Sequence, residues 1–254
     1  MWVLLLIPTC AAAVLSCLHL VRVAAIADAL AEHLPAADRA AGIGLYETAY
    51  LAGGPGRVVE LALVRMAGLG RLHLAHTGWT TVVDPQGRGR LERALISAIG
   101  PEGQCRTAQL KAALAADPTV RDIGDRLALA GLATPAVIRD RARRAVRQVR
   151  WALLAAVAML LLTIVLTADG QAARTALAWY ALPLVLTGGT LLMARVDVHA
   201  YTAWAAPAGQ RLLRTLRWPH ICRTGTTDDL LTAVAIRGPE AVQDPRLRAA
   251  LGHR

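Results

Sequence analysis

Two uncharged apolar runs, Trp151–Thr167 and Thr175–Ala194, stand only seven residues apart. Each is about as long as a tilted helix must be to cross the hydrocarbon core of a bilayer, which takes roughly 17 to 25 residues. The connection Ala168–Arg174 leaves room for nothing but a turn, so the pair is predicted to form a transmembrane hairpin. Pro183 is tolerable inside such a helix, and Thr187-Gly188-Gly189-Thr190 supplies small residues that let membrane helices approach closely. The rest of the chain is placed by the side of this hairpin on which it lies.

Composition agrees: 55% hydrophobic residues and a mean hydropathy of +0.42 are too apolar for an ordinary soluble chain of 254 residues. A third apolar run, Trp2–Leu18, carries no charge and continues past His19 to Val21. No Lys or Arg precedes it and no small-x-small cleavage site follows, so it is predicted to be an uncleaved span rather than a signal peptide. Arg22 to Arg39 reads as a helical extension followed by a linker.

The formal charge of +10 comes almost wholly from arginine, Lys111 being the only lysine. Arg139, Arg141, Arg143, Arg144, Arg147 and Arg150 precede the hairpin and Arg195 follows it, whereas the turn holds Arg174 against Asp169. The positive-inside rule then puts both flanks in the cytoplasm and the turn outside, with the uncharged N-terminus also outside. These arginines are expected to fix orientation and to meet anionic lipid head groups; a polyanion such as nucleic acid is the weaker alternative. Cys10, Cys17, Cys105 and Cys222 show neither C-x-x-C pairing nor regular spacing, which argues against a disulfide framework or zinc site and fits a reduced compartment.

Between the first run and the hairpin the spacing changes to that of a folded domain. Leu45–Leu51 reads as a short helix ended by Ala52-Gly53-Gly54-Pro55-Gly56, and Arg57–Leu69 as an amphipathic helix. Leu72–Leu74 and Trp79–Val83 flank His76-Thr77-Gly78 as a β-hairpin. Helices are expected at Arg90–Ile99 and Gln104–Ala115, and after Asp117-Pro118 and Thr134-Pro135, the last running unbroken into Trp151. Beyond the hairpin, Ala208–Leu216, Thr227–Ile236 and the stretch after Asp244-Pro245 read as helices.

The predicted fold class is therefore a mainly α membrane protein: three transmembrane helices and a helical, winged-helix-like cytoplasmic domain with one small β-hairpin. Its expected divisions are a first span (1–26), a linker (27–44), the winged-helix-like domain (45–134), a basic juxtamembrane helix (135–150), the hairpin (151–194) and a helical cytoplasmic segment (195–254). That last segment either packs on residues 45–134 or forms an independent element.

No motif carries chemistry. Gly42-Ile43-Gly44 lacks the third glycine and the preceding strand of a dinucleotide fingerprint, and Gly53–Arg57 lacks the Lys-Ser/Thr of a phosphate loop. His73 and His76 lie in a strand and a turn facing opposite ways, and His199 and His220 are isolated. Asp228-Asp229 sits where a helix start favours acids. No cofactor, metal or catalytic residue is expected, and the expected function is non-enzymatic: a protein-interaction or scaffold module, or else a tethered winged-helix DNA-binding regulator. An enzyme assembled from distant residues has no sequence support.

Tyr46-Glu47-Thr48-Ala49-Tyr50-Leu51-Ala52-Gly53-Gly54-Pro55-Gly56-Arg57 and Asp228–Ala241 followed by Asp244-Pro245 resemble an actinobacterial membrane-protein family, the near-uncomplex domain family. The resemblance covers nearly the whole chain, including the layout of the spans. It implies the same topology, with Tyr46, Glu47, Gly53, Gly54, Pro55 and Arg57 as family-motif positions, and it carries over no activity. Many members continue into a glycine-rich tail that this sequence lacks, so no tail-dependent role is implied.

Overall fold

A computed structural model describes residues 2–32, 43–166, 170–200, 204–217 and 227–252. The chain divides into two compact units, one formed by residues 1–33 and 136–201 and the other by residues 34–135 and 202–254.

The second unit is built around α2 (Leu45–Gly68), which buries residues on nearly every side, among them Leu51, Val58, Val59, Leu61, Leu63 and Met66. The sequence predicts a break at Gly53–Gly56, and the structure has one: two helical segments meet at a kink where Gly54 leaves helical geometry at φ 74°. Pro55 permits this, because a proline at the first position of the restarted helix gives up only a donor that would be unpaired anyway.

The hairpin comes out as predicted, with β1 (Leu72–Leu74) and β2 (Trp79–Val82) antiparallel in the register His73 opposite Thr81. One expectation fails. Gln104–Arg106 is not the start of a helix but a third strand, β3, antiparallel to β2 with Thr80 opposite Cys105, so the sheet has three strands in the order β1-β2-β3. The turn at Gly100 and Gly103, both at positive φ, throws the chain back along β2, and helix α4 starts only at Thr107. Thr107 and Thr80 seal that junction with a buried hydroxyl pair at 2.9 Å.

Helix α3 (Arg90–Ile99) lies between β2 and β3, and α5 (Pro118–Leu129) follows α4 (Thr107–Ala115). Asp117 caps α5 as its sequence demands, its carboxylate accepting from the Thr119 N–H at 2.7 Å. The chain leaves for α6 (Ala136–Leu166), returns through α7 (Gly170–Ala200), and completes this unit with α8 (Pro207–Arg217), α9 (Thr227–Arg237) and α10 (Pro245–Gly252). Leu213, Leu231, Val234, Ala235, Val242, Ala250 and Leu251 join Leu61, Leu63, Leu110 and Leu127 in one continuous core. The segment after the apolar hairpin is thus part of the same folded body as the segment before it. The two are stitched where the chain departs and returns: Ala133 bridges Ala205, Thr134 N–H donates to the Trp204 carbonyl, and Ala206 N–H donates to that of Leu132, both at 2.9 Å.

The first unit packs α1 (Trp2–Glu32), α6 and α7 against one another. Along α6 the covered positions Ile138, Ala142, Ala145, Val149, Ala152, Ala156, Met159 and Thr163 alternate by four and three, the seam of coiled-coil packing. The partners present small or hydroxyl groups: Thr9, Ala13 and Cys17 on α1, and Thr187 on α7 beside the large Tyr180. Cys17 Sγ meets Thr190 Oγ1 at 3.4 Å, and the Thr163 and Thr187 hydroxyls donate to carbonyls four residues back, Met159 and Pro183, at 2.8 and 2.6 Å. Side chains that must hide a hydroxyl without water commonly do so this way.

One helix, Ala136–Val165, is long and apolar enough to cross a membrane; the apolar stretches of α1 and α7 among the described residues, Ile7–Arg22 and Ala178–Met193, are shorter. The link between α6 and α7 is also shorter than the predicted turn, since Gln171–Arg174, with its two alanines, already belongs to α7.

Candidate functional site

Of the residues singled out near the start of the domain, Gly53, Gly54, Pro55 and Arg57 lie at the kink of α2, while Tyr46 and Glu47 stand at its N-terminal turn. Gly44 is the N-cap of the helix, and the Glu47 side chain folds back over it, close enough that a Cβ at position 44 would meet the carboxylate. Tyr46 lies under the Arg65 guanidinium, 5.6 Å from the ring centre, and its hydroxyl accepts a long hydrogen bond from Nη1 at 3.4 Å. Burial raises the Tyr46 pKa above its ordinary 10.0, the Arg65 charge and hydrogen bond oppose this, and Glu92 adds a smaller upward push.

Gly54 is required twice over. Its φ of 74° disfavours any side chain, and a Cβ there would enter the indole of Trp204. Trp204 stands edge-on to Tyr50, ring centres 5.5 Å apart at 75°, and Tyr50 reaches the backbone of α5 only because position 124 is glycine. Arg57 curls back over Gly53, and its guanidinium rests on Gly238, beyond α9, where φ is 94° and any Cβ would collide with it. Its Nη1 is buried without a hydrogen-bond partner in the protein, while Nε lies 4.0 Å from Glu60 Oε2. Glu60 Oε1 in turn accepts from Lys111 Nζ at 2.8 Å, and Lys111 donates a second bond to the Leu251 carbonyl at 2.9 Å. A row of four groups therefore ties α2 to α4 and to the C-terminal end of α10, while Arg57 also meets the glycine after α9.

The chemistry of this constellation is that of a joint. Two cations, Arg57 and Lys111, share the one carboxylate of Glu60, aromatic rings fill space over glycines, and the whole holds the part of the chain made after the hairpin onto the part made before it. Of the motif residues, Gly53, Gly54, Pro55 and Arg57 belong to this joint, whereas Tyr46 and Glu47 make their contacts at the start of α2, with Arg65 and over Gly44. Sequence reasoning missed Trp204, Glu60, Lys111 and Gly238. Lys111 did carry a signal, as the one lysine in a chain that otherwise uses arginine.

A second buried pair sits under the sheet, where Arg71 Nη1 meets Glu92 Oε2 at 3.0 Å and the same oxygen accepts the Arg88 N–H at 2.9 Å. It fastens the loop before α3 to β1. On the open side of the sheet, Trp79 lies beneath Arg106, 5.7 Å from ring centre to guanidinium. Burial also raises the Cys105 pKa above its ordinary 9.0.

The other residues singled out are dispersed. His73 and His76 are both exposed. His199 and Arg195 fall in the part of α7 beyond Met193, whose side chains are not described, and His220 lies outside the described residues. Among the described residues no three His, Cys, Asp or Glu side chains gather to hold a metal ion. Arg141, Arg143, Arg144, Arg147 and Arg150 are exposed on α6 and Arg139 is half-buried. No family model, curated protein sequence or solved structure matches this chain.

Proposed function

We propose that the chain is a three-span membrane protein, a relative of the near-uncomplex domain family, whose globular unit lies in the cytoplasm and works as a non-enzymatic protein-interaction or scaffold module. The observation that carries the membrane part is the inverted make-up of the α1–α6–α7 unit. Thr9, Ala13, Cys17, Ala156, Thr163 and Thr187 are inside, while Leu15, Leu18, Leu154, Leu161, Leu182 and Val185 are outside. Water would penalise that arrangement; lipid favours it, because small interfaces let helices meet closely and large aliphatics face the acyl chains. The topology draws support from connectivity. Residues 34–135 and 202–254 form one folded body, so the ends of α1, α6 and α7 next to it share one side of any bilayer they cross. Single cysteines at Asp169 and Arg90 of a cysteine-free chain, probed with a membrane-impermeant maleimide on intact cells, test this. Labelling at position 169 alone is expected, and labelling at 90 would overturn the orientation.

Support for the scaffold part comes from the joint, where Gly54 and Arg57 of the motif meet Trp204 and Gly238 from the later chain segment. Cross-linking of the full chain in native membranes, followed by mass spectrometry, should yield a reproducible partner or a self-adduct; recovery of monomer alone would count against it.

A second reading, a membrane-tethered winged-helix regulator, is favoured by one feature: α3, β3, α4 and α5 follow each other as helix, strand, helix, helix, and β3 closes onto a two-stranded hairpin. The exposed charges of α5 weigh against DNA, since Arg121 and Arg126 are balanced by Asp122 and Asp125. A gel shift with the full chain in detergent, losing affinity steeply with salt, would revive it.

A further inference from the structure

The outward face of α6 does not change direction where its chemistry changes. Arg143, Arg147 and Arg150 lead at spacings of four and three into Leu154, Val157 and Leu161, and all six are exposed. At 3.6 residues per turn they form one row, on the side away from the seam that meets α1 and α7. Exposed Trp151 marks the change from charged to apolar, as aromatic residues do at the edge of a hydrocarbon layer. Asp140 is the only acid in α6, and it pairs locally, 3.9 Å from Arg143.

Depth then sorts the arginines. At 1.5 Å per residue, Arg150 and Arg147 lie about 2 and 6 Å before Trp151, within a head-group layer roughly 5 to 7 Å deep. Arg143 and Arg144 fall at about 10 to 12 Å, outside that layer but near enough for a long side chain to reach back to it, and Arg141 at about 15 Å, farther out. A guanidinium matches a phosphate oxygen pair with two parallel N–H donors, which an ammonium cannot do.

We propose that Arg147 and Arg150, with Arg143 and Arg144 reaching in from outside the head-group layer, form a binding stripe for the phosphates of anionic phospholipids in the leaflet around the N-terminal half of α6. The inference rests on the membrane reading of α6 and extends it from general orientation to a selective lipid contact by named side chains.

The test uses the full chain reconstituted in phosphatidylcholine vesicles doped with phosphatidylglycerol, re-extracted, and analysed for the ratio of the two lipids retained. Wild type should hold phosphatidylglycerol in excess over its share of the vesicle. Each inner arginine should contribute about fivefold, so Arg147→Gln with Arg150→Gln should remove most of the preference, whereas Arg141→Gln should change it less than about twofold. Arg147→Lys with Arg150→Lys should keep part of it, since the charge stays while the paired donors are lost. An inserted wild-type protein with no preference, or Arg141→Gln as damaging as the inner pair, would overturn the proposal. Displacement of the lipid by a short DNA duplex at equal charge concentration would also overturn it, in favour of a general polyanion site. Resistance to alkaline carbonate separates the two levels: wild type stripped from the vesicles refutes the membrane reading and this proposal together, while wild type that resists and shows no preference refutes this proposal alone.

Discussion

The two units of this protein obey opposite rules of burial. In the globular unit the interior is large and aliphatic, with Leu51, Leu61, Leu63, Met66, Leu95 and Leu110 all but fully buried, and hydroxyls there are few and paired. In the α1–α6–α7 unit the small and hydroxyl-bearing residues are inside and the leucines outside. One chain with one amino-acid bias has produced both, and on the membrane reading the difference lies in the solvent each surface is built for. Leucine is the inside residue where water is the alternative and the outside residue where hydrocarbon is.

The sharpest way to break this comparison is a pair of glycine substitutions. Gly54→Val forces a β-branched residue to φ 74° and into the Trp204 ring, and should cost the globular unit about 4 kcal/mol, combining backbone strain and overpacking. Gly189→Val, on α7 where an added Cβ meets nothing within 4 Å, should be near neutral in vesicles. Denaturant melts of the full chain would distinguish them, and equal losses would mean that α7 is closely covered at that point. Next in size is the leucine pair. Leu63→Ala should cost roughly 2 to 5 kcal/mol through a cavity, and Leu161→Ala, 58% exposed, less than about 0.5 kcal/mol in lipid. A large loss at 161 would sink the lipid-facing assignment.

Removing the shared lysine tests the joint. Lys111→Met leaves the Glu60 carboxylate without its 2.8 Å partner and frees the Leu251 carbonyl, for an expected loss of about 1 to 2 kcal/mol in the same melts. Lys111→Arg should recover only part of this, as one tight ammonium site must admit a planar fork. The smallest effect is on pH. Tyr46 and Cys105 both have raised pKa values, so the unfolded chain gives up these protons first and stability should fall as pH climbs past 9.0 for Cys105 and 10.0 for Tyr46. Tyr46→Phe should flatten the upper part of that decline; an unchanged slope would mean that Tyr46 ionises equally in both states.

What could be read in the sequence and what could not divides along local and distant causes. Asp117-Pro118 and Asp244-Pro245 announced α5 and α10 because a cap and its proline act within three residues, and Asp244 does accept from the Arg246 N–H at 2.8 Å. The His76-Thr77-Gly78 turn likewise needed only its neighbours. Strand β3 was invisible because three residues show no alternation and take their conformation from the backbone of β2. Gly53-Gly54-Pro55 was legible as a break but not in what lies against it, since Trp204, which packs on Gly54, arrives 150 positions later in the chain. The joint escaped for the same reason: Gly238 follows the end of α9 as its sequence predicts, and nothing local says that Arg57 lies on it.

The bridge between Ala133 and Ala205 also orders events in time. A ribosome delivers α2 to α5 first, then about 70 residues of α6 and α7, and only afterwards the strip carrying Trp204 and helices α8 to α10. Until that strip emerges, the groove meant for Val234 and Leu251 stands open and Gly54 has no indole to rest against. The globular unit therefore closes only after its apolar hairpin has left the ribosome. On the membrane reading, a hairpin that stalls outside the bilayer leaves a half-domain with exposed core for quality-control proteases to find, so completion of the fold doubles as a receipt for insertion.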